Sequence, residues 1–327
     1  MSTAFASTAD LAAKRVSFDE IGPGLYAYTA EGDPNSGVVI GDDSVLVVDA
    51  QATPAMAMDV IARIRAVTDK PIRHLVLTHY HAVRVLGASA YGAESVIASD
   101  ATRELIAERG AEDMASEIGR FPRLFRGRDT IPGLTWPTVT VSHAMTLRLG
   151  RREVRILHAG RAHTAGDTVV WLPKERVLFA GDTVEFGATP YCGDAHFRDW
   201  PGTLAGLRAL GAEALVPGRG AALTTGSAAR LAIEGTEAFT TRLFALVRAC
   251  VGRGASLKET YDAAMAALRP DFGHWVIFEH CMPFNVSRAY DEAIGIDRPR
   301  VWTAERDLEL WRALEGGAAM KSADARA

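Results

Sequence analysis

The chain has 327 residues, 48% of them hydrophobic and 23% charged, with 36 Lys and Arg against 40 Asp and Glu. That is an ordinary globular balance with length for a closed core, and a net charge of -4 leaves no basic footprint for nucleic acid. Cys192, Cys250 and Cys281 write neither a disulfide framework nor a Cys-x-x-Cys metal site. No signal-peptide pattern occurs, and no apolar run approaches the roughly 20 residues that span a bilayer. The expectation is a cytoplasmic protein with no membrane partner.

Residues 1–20 are small and polar and read as a flexible N-terminal arm. Three β-rich pieces follow at 24–28, 36–40 and 44–49, the last two joined by a tight turn at Asp42 and Asp43. Apolar residues at helical spacing predict a helix over 54–68. A strand at 74–78 leads into a histidine loop, followed by a short helix at 85–91, a strand at 95–98 and a helix over 101–118 with Asp100 as N-cap. From 119 to 137 arginines alternate with Phe and Pro, which reads as a surface loop or lid. Strands return at 138–141, 145–149, 153–156, 168–172 and 177–179. After a helix at 201–210, a strand at 214–216 and the turn Pro217-Gly218-Arg219-Gly220, the chain is mostly helical, near 226–252, 256–268, 286–292 and 303–315. The aromatic stretch 271–284 reads either as a pocket wall or as a buried segment between helices.

The histidine loop is Thr78-His79-Tyr80-His81-Ala82-Val83-Arg84. Alternation along an extended chain turns the imidazoles of His79 and His81 to one side at a strand end, as the first two ligands of a metal ion require. A bare His-x-His is also common in ordinary loops, so the rest of the pattern decides. Three further stretches end strands in the same manner: Gly160-Arg161-Ala162-His163-Thr164-Ala165-Gly166-Asp167, Ala180-Gly181-Asp182 and Val216-Pro217-Gly218-Arg219-Gly220, while Asp49 closes the strand at 45–48. Several strands finishing in polar residues imply one shared rim of loops, the usual address of an active site.

In order and position these four motifs resemble the metallo-β-lactamase superfamily over residues 24–225. The resemblance implies an αββα sandwich of two mixed β-sheets flanked by helices, with hydrolysis by one or two metal ions. It places a metallo-β-lactamase-like domain at 21–225 and leaves 226–327 as a helical C-terminal extension packed on the same unit. Matched to the family's motifs, His79, His81 and His163 are ligands of the first metal, and Asp182 is the residue that normally bridges two. Asp49 and Asp167 would brace the ligands from behind.

The departures carry as much as the matches. The family's first motif reads His-x-His-x-Asp-His, and its last two positions are here Val83 and Arg84; the final turn normally ends in a histidine, and here in Arg219. A guanidinium has no lone pair to give and stays protonated, so a second metal has no ligands. If Arg84 and Arg219 converge, they form a cationic fork suited to a carboxylate; the alternative is that they pair with local carboxylates. The expected function is a mononuclear hydrolase for a small anionic substrate with an ester, lactone, amide or similar bond, attacked by metal-bound hydroxide on one Zn2+. Asp182 would be either a ligand or the general base. Two alternatives use the same residues. His79, His163 and Asp182 form the facial triad of non-haem Fe2+ dioxygenases, and without metal the pocket would be an anion-binding protein. The sequence is compatible with a homo-oligomer.

Overall fold

The computed structural model describes residues 4–316. The first sheet has seven strands in spatial order β1 to β7: β1 (Ser17–Gly22), β2 (Leu25–Thr29), β3 (Ser36–Ile40), β4 (Val45–Val48), β5 (Ile72–Val76), β6 (Ser95–Ser99) and β7 (Val139–Val141). β1 to β4 form an antiparallel meander, and β4 to β7 run parallel. Parallel neighbours need crossovers, which α1 (Pro54–Val67), the short α2 (Ala82–Val85) and α3 (Asp100–Arg120) provide. The second sheet holds β8 (Ala144–Leu149), β9 (Arg152–His158), β10 (Thr168–Leu172), β11 (Val177–Gly181) and, after α4 (Trp200–Ala209), β12 (Ala214–Pro217). It is antiparallel except for the parallel β11–β12 pair. Both sheets are mixed, as expected.

Period-two alternation sorts the strand residues into three apolar layers. Leu46, Val48 and Val76 face Ile156, Val170 and Phe179 between the sheets. Val45, Val47 and Leu75 point the other way, onto Val60 and Ile64 of α1. Val169, Trp171 and Leu178 cover the outer face of the second sheet with Leu204 and, from the C-terminal helices, Ile233, Phe239 and Met282. The result is an αββα sandwich. Fully burying one such side chain is worth about 1.5–3 kcal/mol, so the C-terminal helices, α5 (Gly226–Gly252), α6 (Leu257–Phe272), α7 (Phe278–Ala293) and α8 (Ala304–Glu315), are integral to the unit they cover.

Several local readings need correction. Residues 17–20, expected in the loose arm, form edge strand β1, paired through Phe18 and Tyr28. Ahead of it, the Ser7 N–H donates to Arg120 O at 3.2 Å, so the arm is tied down where it crosses α3. The cap of α3 is Ser99, whose hydroxyl accepts from Thr102 N–H, rather than Asp100, and the helix runs on to Arg120. Helix α7 starts at Phe278, inside the aromatic stretch, and Phe278, His280, Met282 and Phe284 are all buried.

Candidate metal centre

The centre is assembled at the carboxyl ends of β4, β5, β9 and β11. β5 leads through Leu77 and Thr78 to His79, and His81 is the N-cap of α2. The first N–H groups of α2 have no partner within their own helix, and α3 supplies two: Ala82 N–H donates to Asp113 at 2.7 Å and Val83 N–H to Glu117 at 2.8 Å. Asp49, at the end of β4, accepts from both Thr78 N–H and Thr78 hydroxyl at 2.8 Å, fixing the loop just ahead of His79. Asp167 does the same for His163, accepting from Thr164 N–H at 3.0 Å and from its hydroxyl at 2.6 Å. Both carboxylates are thus bonded to the loops that carry the histidines.

His79, His81 and His163 converge, with one ligand atom from each within 4.8 Å of the others. Their rings stand nearly perpendicular to one another, with centroids 4.6–4.8 Å apart. The outward nitrogen of each ring has a partner that fixes its tautomer. Thr78 Oγ1 gives its proton to Asp49 and so accepts from His79 Nδ1 at 3.0 Å. His163 Nδ1 donates to Tyr191 O at 2.7 Å, and His81 Nε2 to Asp194 at 3.1 Å. His79 Nε2, His81 Nδ1 and His163 Nε2 are left facing one another. His79 Nε2 is buried with no hydrogen-bond partner at all, a condition that native interiors rarely tolerate without a guest.

Charge tells the same story. Burial holds His79 well below its ordinary value, and burial together with neighbouring His81 takes His163 down to about 3. Both are in the neutral form that ligates. For His81 burial also opposes protonation, but Asp113, Asp194 and Glu117 outweigh it and raise the ring to about 9. The acidic surround favours positive charge at this spot, and His81 Nδ1 is 3.0 Å from His163 Nε2. Three neutralisable imidazoles with oriented outer partners fit a metal such as zinc.

Asp182 lies beside them, with Oδ2 at 3.8 Å from His79 Nε2 and 3.7 Å from His163 Nε2. Its other oxygen, Oδ1, accepts from Arg84 Nη2. Burial alone would raise this carboxyl, yet the Arg84 guanidinium holds it well below the usual carboxylate range. Arg84 also donates to Asn35 O at 2.8 Å and Gly218 O at 2.7 Å. Gly218 is packed so closely on Asp182 that a Cβ there would fall 2.8 Å from Asp182 Cα, so the turn at 217–220 admits only glycine at its second position. Arg219 lies nearby, 4% exposed, with its own N–H held by Glu185 and Nη1 donating to Gly32 O at 3.3 Å. Both arginines lie near Asp182. Their geometry is nonetheless not an open fork: Arg84 is committed to Asp182, and Arg219 adds its field from the next turn.

The matching family profile, described as the metallo-beta-lactamase superfamily, covers residues 29–219. The chain belongs to this superfamily. Two similar relatives are metallo-beta-lactamases type 2, from Bacillus sp. (strain 170) and Bacillus cereus. They are 24% and 23% identical over 204 residues, 60% of this chain in each case and 70% and 71% of theirs. A linear primary-alkylsulfatase from Pseudomonas sp. (strain ATCC 19151) is 24% identical over 207 residues, covering 54% of this chain but 39% of its own. Among solved structures, a metallo-beta-lactamase from Pontibacter korlensis superposes with TM-score 0.55 at 20% identity, over 69% of this chain and 99% of that one. One from Erythrobacter litoralis gives 0.54 at 22%, over 69% and 96%. These likenesses establish the fold.

Asp194 escaped the sequence reading as a site residue. It lies 113 positions from His81, so no local spacing could join them. Its second oxygen accepts from Arg109 at 3.1 Å, which with His81 pins it in place and, against burial, holds it down at about 2. Tyr80, between the two ligands, packs its ring 4.5 Å from that of His81 and lines a cavity of about 350 Å3 with Arg109, Asp194 and His196. Among the described residues no helix is long and apolar enough to cross a membrane.

Proposed function

We propose that the protein is a hydrolase that works with a single metal ion, zinc, on a small anionic substrate carrying an ester, lactone, amide or comparable bond. The observation that carries this reading is the inward convergence of His79, His81 and His163 beside an Asp182 whose far oxygen is held by Arg84. Zinc in such a set makes a water bound to it acidic near neutral pH and polarises a carbonyl oxygen. The chain's own groups then have separate tasks. Thr78, Tyr191 O and Asp194 hold the rings in their ligating tautomers. Asp182 Oδ2, kept ionised by Arg84, is placed to take a proton from an attacking water. Arg84 is engaged by Asp182, and Arg219 adds the positive field that draws an anion. Three buried cysteines with no disulfide among them suit the reducing cytoplasm.

A second reading rests on the same approach of Asp182 to His79 and His163, which together make a two-histidine, one-carboxylate set suited to Fe2+ and oxygen. The 3.0 Å approach of His81 to His163 favours the all-nitrogen set. Elemental analysis of protein purified without a tag, joined to a panel of carboxylate-bearing esters, lactones and amides, decides between them. One zinc per chain and hydrolysis of a panel member are expected. Iron with oxygen uptake would replace this reading by the second, and protein without metal would end both. For a hydrolysed substrate, Arg219→Ala is expected to raise KM by about tenfold, as for loss of a charged contact, with bound zinc unchanged.

A further inference from the structure

Arg120 ends α3 directly beneath the N-terminal arm, and it is 1% exposed. Its guanidinium lies against two neighbouring rings: the Tyr191 ring centroid is 4.9 Å from Cζ and that of Phe284 is 4.7 Å. None of its three nitrogens, Nε, Nη1 and Nη2, makes a hydrogen bond. Asp307 lies 3.4 Å from Nε and Glu117 3.9 Å from Nη2, near enough to balance charge but not aligned to accept. Five donors on a buried arginine with no aligned acceptor are exceptional, since each buried polar group left unpaired costs about 1–3 kcal/mol, and Asp307 Oδ1 is left unpartnered beside them.

Two more unpartnered groups stand beside it. The Tyr191 hydroxyl is buried without a partner, and so is His280 Nε2. His280 is stacked on Phe121 with centroids 4.0 Å apart, and the Arg219 guanidinium lies over that same Phe121 ring at 5.8 Å. His280 Nδ1 is meanwhile bonded to the Ser7 hydroxyl at 2.9 Å, so its other nitrogen is the one turned inward. Tyr191 joins this cluster to the metal centre. Its ring packs against His81 at 5.6 Å and against His163 at 6.3 Å, and its carbonyl oxygen orients His163.

We propose that Arg120, with the Tyr191 hydroxyl and His280 Nε2 beside it, is the seat of the substrate's carboxylate. This rests on the hydrolase reading for its placement beside the reacting bond, but the anion site is defined by its own residues. Its three nitrogens carry donors in a planar fork with no hydrogen-bond partner, and a planar two-oxygen acceptor meets such a fork with paired hydrogen bonds. Arg84 cannot fill this role because Asp182, Asn35 O and Gly218 O already engage it.

The test is thermal unfolding of zinc-loaded and of chelator-stripped protein, titrated with sodium acetate and with sodium sulfate against chloride at constant ionic strength. Acetate is expected to stabilise both forms, with a midpoint concentration shifted upward at least about tenfold in Arg120→Gln, as for loss of hydrogen bonds to a charged group. Tyr191→Phe, which keeps the ring and the carbonyl, is expected to shift it about threefold or more, the worth of one hydroxyl bond; it carries the test if Arg120→Gln does not fold. No stabilisation by acetate, an unchanged midpoint in the variants, or a response to sulfate alone overturns the assignment. Binding of acetate by a protein that takes up no metal supports the anion site while ending the hydrolase reading. One zinc per chain without acetate binding does the reverse.

Discussion

Replacing Arg84 by methionine, which keeps the volume and removes the charge, is expected to destabilise the metal-free protein by about 3–5 kcal/mol, the usual cost of orphaning one partner of a buried ion pair. For a chain of this size that is a fall in Tm of roughly 5–10 °C. The pair is closed off from water, Arg84 being 1% exposed and Asp182 4%, so solvent cannot take over the abandoned charge. Arg84 is also the first cause of the low pKa of Asp182; without it, burial would push that carboxyl up towards its neutral form. Asn35 O and Gly218 O lose their donor as well. Differential scanning calorimetry on the metal-free protein measures the loss. The double variant Arg84→Met with Asp182→Asn should recover part of it, since neither charge is then left alone, and strictly additive losses would show that the two residues do not act as a pair. The expected loss is smaller in zinc-loaded protein, where another cation faces the same carboxylate.

The same pair explains how much of the site was legible beforehand. Four strand-end motifs in order were enough for the family, for the sandwich, and for the three histidines, because each motif is local: a buried strand, then a polar residue at its end. The substitution of Arg84 and Arg219 for metal ligands could be read too, and it pointed to positive charge where a second ion would otherwise sit. What could not be read was where that charge is directed. Arg84 meets Asp182 across 98 positions, and whether its guanidinium faces a carboxylate or an open pocket depends on how two separate turns pack. Arg120 was less legible still. Next to a run of Arg, Phe and Pro it looks like part of a solvated connector, and only the arrival of α7 and α8, with Phe284 and Asp307, buries it. The arm was misread for a related reason: residues 17–20 lack a strong apolar pattern because β1 is an edge strand, half-exposed along its length.

Loss of a single imidazole should be the most severe change at the centre. His163→Ala is expected to reduce bound zinc from one ion per chain to near none at micromolar free metal, since two nitrogens and a carboxylate already engaged by Arg84 form a poor zinc set. Asp194→Asn tests the layer behind. The asparagine keeps the shape, and its carbonyl can still accept from His81 Nε2, but the negative charge that makes His81 a strong donor to metal is gone. A fall in zinc affinity of roughly 10–100-fold is expected, the range for partners that orient a ligating histidine. Competition with a chromophoric chelator measures both variants. The order matters more than either number: if Asp194→Asn cost as much as His163→Ala, Asp194 would be acting as a ligand itself. If neither changed the affinity, the metal would lie somewhere other than between His79, His81 and His163.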